Sequence, residues 1–105
     1  MSRIQAFEKM LADGKDGHLL RYGLGREFLD AGRPDAAIIH LKICVELSPA
    51  YSAAWKLLGK AYEANGQGEK AIGAWEQGIQ VAQENGDKQA EKEMTVFLKR
   101  AHKNT

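Results

Sequence analysis

The chain has 105 residues, with 15 Lys and Arg against 14 Asp and Glu, a formal net charge of +1, and 44% hydrophobic and 28% charged residues. That length supports one domain, since two separate cores within it would each be marginal, and the near-neutral balance excludes the bulk basicity from which nucleic-acid binders draw their affinity. A single cysteine, Cys44, excludes an internal disulfide and a cysteine-built zinc cage, and no run of about 18 apolar residues is present to form a membrane span. Residues 1–11 are interrupted by Arg3, Glu8 and Lys9 and do not read as a secretory signal, so the expected compartment is the cytoplasm.

Apolar residues recur at helical spacing along the whole chain and strict apolar/polar alternation is missing, which makes the expected fold class all-α. A short first helix is predicted over 3–12, in an N-terminal segment 3–13. The second, over 17–31, places Leu20, Leu24, Phe28 and Leu29 on one side. Gly32 suits a left-handed ending, and Pro34 suits the first turn of the third helix. That helix carries Ala37, Ile38, Leu41, Val45 and Leu47 and stops at Ser48-Pro49. The fourth is expected to take Ser52 as its N-cap and to run to about 65, with Trp55, Leu58, Gly59 and Tyr62 in one stripe, until Asn65-Gly66 breaks it. A fifth covers about 69–85, Gly86-Asp87 separates it from a sixth, and the sixth ends near 103. Six helices joined by tight turns leave no linker that could divide the chain.

Sliding the chain by 34 residues aligns one helix pair on the next. Leu24 meets Leu58, Gly25 meets Gly59, Gly32 meets Gly66, Ala37 meets Ala71 and Ile38 meets Ile72, while Phe28/Tyr62 and Arg26/Lys60 match in kind. The matches fall on the buried stripe and on the turn glycine, which a repeated helical hairpin must hold fixed. The second repeat reads Trp55, Leu58, Gly59, Tyr62, Gly66, Ala71 and Trp75; the first reads Leu24, Gly25, Phe28, Gly32, Ala37, Leu41 and Pro49, with Arg21 where the tryptophan would stand. This pattern resembles the tetratricopeptide repeat (TPR) family.

The resemblance implies a short right-handed α-solenoid of antiparallel hairpins in a single domain, with repeats over 18–51 and 52–85 and a capping helix over 87–103. Gly25, Gly59, Ala37 and Ala71 are small where paired helices approach closely, and Phe28, Trp55, Tyr62 and Trp75 fill the wider gaps. Some positions depart from the family pattern. Gln83 replaces the closing proline of the second repeat, so that repeat's second helix is expected to run on to Asn85. Gly78 matches a site where the family favours a small residue, and Gly73 has no reading beyond close approach of another backbone. In the last helix Lys92 and Glu93 stand where Leu-Gly is usual, with Met94, Phe97, Leu98 and Ala101 expected to turn inward.

Signatures of catalysis are missing. Gly23-Leu24-Gly25 begins like a dinucleotide loop but has neither the preceding strand nor the third glycine. His40 and Cys44 stand at i and i+4, where both could touch one metal, yet no further ligands share their spacing, and Cys44 occupies a small buried site of the repeat. No enzyme activity, cofactor or metal is expected. The five basic residues of the last helix, Lys88, Lys92, Lys99, Arg100 and Lys103, interleave with Glu91 and Glu93 and read as a salt-bridged solvated face.

In this family the first helix of each hairpin lines a concave groove that holds a peptide or a partner helix. On that resemblance the binding residues are Leu19, Tyr22, Arg26 and Leu29 on one helix and Lys56, Lys60 and Glu63, with Ala53, on the next. Tyr22/Arg26 and Lys56/Lys60 are i, i+4 pairs, each projecting from one face. The expected partner is a protein or peptide, an acidic or carboxylate-terminated segment being the sharper form of that reading; nucleic acid and membrane are not expected partners. The alternative is a structural module that forms homo-oligomers through its terminal helices, where Phe7, Met10, Met94 and Phe97 could leave apolar surface uncovered.

Overall fold

In the computed structural model, which describes residues 1–104, the helices are α1 Arg3–Ala12, α2 His18–Asp30, α3 Pro34–Leu47, α4 Ser52–Ala64, α5 Gly68–Asn85 and α6 Lys88–Lys103. α2 pairs with α3 and α4 with α5; α4 packs back on α3 and α6 on α5, so each hairpin leans on the one before it. The stack measures 42 × 28 × 18 Å. It is an all-α solenoid, and among the described residues no helix is long and apolar enough to cross a membrane.

The hairpin turns follow from the sequence. Gly32 and Gly66 adopt φ of +76° and +75°, a left-handed conformation that costs glycine little. The chain then reverses so that the amides of Arg33 and Gln67 donate to the carbonyls of Phe28 and Tyr62, each at 2.9 Å. These are the six-to-one bonds that satisfy carbonyls left open at a helix end. Pro34 then opens α3 at its first position, where its missing N–H costs nothing.

Ser52 does not cap α4. It is the first residue of the helix, Tyr51 precedes it without a side-chain cap, and the buried Ser52 hydroxyl donates to Asp87 Oδ2 at 2.8 Å. Asp87 is in turn the N-cap of α6, its Oδ1 accepting from the Ala90 amide at 3.2 Å. The serine therefore ties the start of α4 to the start of α6, and its hydroxyl leads the causes that hold the Asp87 carboxyl below its usual range.

The core consists of two clusters. One gathers Leu24, Phe28, Ala37, Leu41, Cys44, Ala54 and Leu58 between α2, α3 and α4; the other gathers Ala71, Trp75, Ala82, Ala90 and Met94 between α5 and α6. Tyr62 packs against both. The repeated glycines show why small residues recur. A Cβ at Gly25 would stand 2.5 Å from Leu41 Cγ, and one at Gly59 would overlap the Trp75 indole. Gly78 is wedged between Met94 and Trp55 in the same way. Gly73 departs from its expected reading: it is exposed, and a Cβ there would meet nothing within 4 Å. Gly23 lies inside α2 with the Phe7 ring 3.0 Å from where its Cβ would be, so the Gly23-Leu24-Gly25 run is a packing surface within a helix.

The third first-helix is out of step with a uniform 34-residue period. α2, α4 and α6 begin at His18, Ser52 and Lys88, a step of 34 and then of 36 residues. The extra residues lie in α5, which runs to Asn85 as the missing proline implies. In this register Ala90 and Met94 take the places of Ala54 and Leu58, all four buried. Lys92 and Glu93 are therefore not substitutes for Leu-Gly, and the core positions of α6 are filled.

The apolar ends are largely covered. Met94 is fully buried, Phe97 lies with its ring centroid 5.4 Å from that of Trp75, and Ile4, Phe7 and Leu11 pack against the first cluster. Of the terminal residues expected to be open, Met10 is 39% exposed. No residue of α1 is buried, and α1 lies against α2 alone.

Candidate functional site

The first helices of successive hairpins stand side by side, and their exposed faces form one surface. Between α2 and α4 lies an open cleft of about 410 Å³ lined by Tyr22, Arg26 and Leu29 from one helix and Lys56 and Lys60 from the other. The two groups come from helices 34 residues apart in sequence, and the i, i+4 spacing points both pairs the same way. Asp30, Leu57 and Glu93 complete the lining. Leu19 stands on α2 outside the cleft, 66% exposed, and Ala53 is not part of it. Glu63 lies at a second, smaller depression of about 230 Å³ with Trp75, Ile72 and Ala101.

The three cations of the cleft are in different states. Lys56 Nζ is 3.3 Å from Glu93 Oε1, so α6 supplies a carboxylate across α4. Lys60 Nζ sits 4.6 Å from the Phe97 ring centroid, a cation–π contact that leaves part of its hydration shell free. Arg26 is exposed and has no ion-pair partner among the described residues. Three cations against the carboxylates of Asp30 and Glu93 leave a local surplus of one positive charge, smaller than the cations alone imply. Tyr22 is steadied by Tyr51, with ring centroids 5.1 Å apart.

Asp30 could have been read from the sequence, since it follows Arg26 by one helical step. Glu93 could not, because a period of 34 places it elsewhere. With the observed step of 36 it takes on α6 the place that Leu57 has on α4, and both residues line the cleft.

The histidine and cysteine on α3 do other work. Arg21, standing at the tryptophan position, grips Asp16 with Nε and Nη2, both at 2.8 Å, and its Nη1 lies 3.1 Å from His40 Nδ1. Since guanidinium only donates, that ring nitrogen accepts. His40 also stacks on Phe28 at 5.5 Å with an interplanar angle of 3°. Burial, then the Arg21 charge, lowers its pKa. The Cys44 thiol donates to the His18 carbonyl at 3.2 Å, and burial pushes its pKa up to about 11. Both groups face protein partners, His40 the Arg21 guanidinium and Cys44 the His18 carbonyl.

The acids of α6 bond to groups on other helices, although Glu91 lines one shallow depression with Lys88 and Lys92. Glu91 accepts from Gln83 Nε2 at 3.0 Å, and Glu93 is spent on Lys56. The expected salt-bridged face is therefore corrected: among the described residues Lys88, Lys92, Lys99, Arg100 and Lys103 have no carboxylate within 4.0 Å.

Comparison with known proteins places this geometry. The family model described as tetratricopeptide repeat matches residues 22–87. A TPR repeat-containing protein of Pseudomonas aeruginosa is 59% identical over 97 residues, 92% of each chain. The solution structure of a Bordetella parapertussis protein superposes with a TM-score of 0.87 at 40% identity, covering 99% of this chain and 90% of that one. The crystal structure of a tetratricopeptide repeat domain protein from Salinibacter ruber does so at 0.76 and 30% identity, covering 83% and 97%.

Proposed function

Because the chain belongs to the tetratricopeptide repeat family, whose fold generally serves protein–protein interaction, we propose that it is a binding module, without catalytic chemistry of its own, whose α2–α4 cleft takes an extended acidic segment of a partner protein. One observation carries this reading: Tyr22, Arg26, Leu29, Lys56 and Lys60, from two separate helices, line a single open cleft. Arg26 offers an unpaired guanidinium fork suited to a side-chain or terminal carboxylate. Leu29, Leu57 and the Tyr22 ring supply apolar contact beside it. The small net surplus favours one or two carboxylates in the ligand over a long acidic run, which Asp30 and Glu93 would repel. Self-association through the terminal helices has less support, since Met94 is buried and Phe7 packs on Gly23.

The test is titration of isotopically labelled protein with an extended peptide that carries one glutamate and a free C-terminal carboxylate. Amide shifts are expected at Tyr22, Arg26, Lys56 and Lys60, and Lys56→Glu with Lys60→Glu should weaken binding at least tenfold. Unchanged affinity in that double variant would remove the cleft from the account.

A further inference from the structure

We infer that Glu93 is a specificity-determining residue of the α2–α4 cleft: it occupies Lys56, so the cleft accepts one carboxylate and rejects a second placed two residues along an extended ligand. The inference rests on the reading of the cleft as the binding site, and the order of charges along the cleft carries it. Arg26 and Lys60 stand at equivalent places on α2 and α4, and Tyr22 and Lys56 stand together one helical turn nearer the helix starts. Four residues of helix rise about 6 Å, so the cleft has two levels that far apart. At the first level Arg26 has no ion-pair partner among the described residues, and Lys60 rests on the Phe97 ring. At the second, Lys56 Nζ lies 3.3 Å from Glu93 Oε1 and Tyr22 brings no charge, so that level is neutral. Asp30 lines the cleft one turn beyond Arg26, at the other end.

The cationic level is thus flanked by a carboxylate on each side, Asp30 beyond it and Glu93 before it. An extended peptide advances about 6.5 Å in two residues, close to the separation of the levels. A ligand carboxylate set between Arg26 and Lys60 therefore puts the side chain two residues on beside Lys56 and Glu93. An amide or hydroxyl there meets an ion pair to which it can hydrogen-bond. A second carboxylate has to displace Glu93 from Lys56 or lie next to it uncompensated, and like charges about 6 Å apart repel even through water. Glu93 acts from α6 because the 36-residue step brings it to the place that Leu57 has on α4. Without its charge, Lys56 has no carboxylate within 4.0 Å among the described residues, and the second level becomes cationic as well.

The experiment titrates labelled wild type, Glu93→Gln and Arg26→Gln with two extended peptides, blocked at both ends and alike except at one position. The first carries glutamate at i and glutamine at i+2; the second carries glutamate at both. Wild type is expected to bind the second peptide no tighter than the first. Glu93→Gln is expected to bind the second about three- to tenfold tighter than the first, a ratio that falls toward one in high salt. The ratio is the readout, because a loosened α6 would move both affinities together. Arg26→Gln should bind the first peptide at least tenfold more weakly than wild type does. Equal ratios in Glu93→Gln and wild type, alongside weakened binding in Arg26→Gln, would overturn the role of Glu93 and leave the cleft standing. Tighter binding of the second peptide by wild type would do the same. Cleft amides that shift with neither peptide, or wild-type affinity in Arg26→Gln, would overturn the cleft reading and the role of Glu93 with it.

Discussion

A methyl group at Gly59 has nowhere to go, because the Trp75 indole already fills the space where Cβ would stand. A methyl group at Gly73 meets nothing, and there glycine only costs the helix conformational entropy. The two positions lie in the same hairpin, so they make a controlled pair. Gly59→Ala should destabilise the protein by about 1–3 kcal/mol, the usual penalty for overpacking a close helix contact. Gly73→Ala should stabilise it by about 0.5–1 kcal/mol. Urea denaturation of the two variants checks both signs. A loss of stability in Gly73→Ala would mean that α5 is not the free helix face described above.

Among the elements, the turn between α1 and α2 depends on a chain of side chains rather than on a core. Asp16 holds Arg21, Arg21 donates to His40, and His40 lies on Phe28. His40 must be neutral to accept that bond, and its pKa in the folded protein is lowered, first by burial and then by Arg21, against the opposing pull of Glu8 and Asp16. The unfolded chain takes up the proton near the ordinary pKa of about 6.5. The stability contributed is thus complete above that pH and is lost as pH falls below it. The urea midpoint should drop between pH 7 and pH 5 in the native sequence and stay nearly flat in His40→Gln over that window. None of this network was legible in the sequence, where Arg21 reads only as a missing tryptophan and its partners come from a loop and another helix. The hairpins themselves were legible, because Gly25/Gly59, Gly32/Gly66 and Ala37/Ala71 repeat the contacts and turns that geometry demands. Five of the eight residues expected on the groove face met in one cleft. Leu19, Ala53 and Glu63 fell outside it because a position on the exposed face of a first helix does not fix which neighbouring helix rises beside it. Glu93 was missed because the extension of α5 changes the step between repeats, and a period counted from the first two hairpins cannot show that.

At the scale of the whole molecule, contacts run only between neighbouring layers, as in other solenoids. α1 has no buried residue and rests on α2 alone, through the half-buried Ile4, Phe7 and Leu11 and an exposed Arg3–Glu27 ion pair at 3.4 Å. Its opening should therefore need far less free energy than global unfolding. Native-state hydrogen exchange should show α1 amides exchanging by a local, nearly urea-independent route, while α4 and α5 amides exchange only with the whole; equal protection in all helices would contradict this layering. The placement of the tryptophans has a further consequence. Trp55 and Trp75 both belong to the second hairpin, one held to the Pro49 carbonyl at 2.9 Å and the other to the Lys56 carbonyl at 3.2 Å, and the chain has no other indole. Intrinsic fluorescence is accordingly a local optical reporter of α4 and α5, blind to α1, whereas far-ultraviolet circular dichroism sums over every helix. Any offset between the two signals during unfolding measures how far the first layers have parted from the rest.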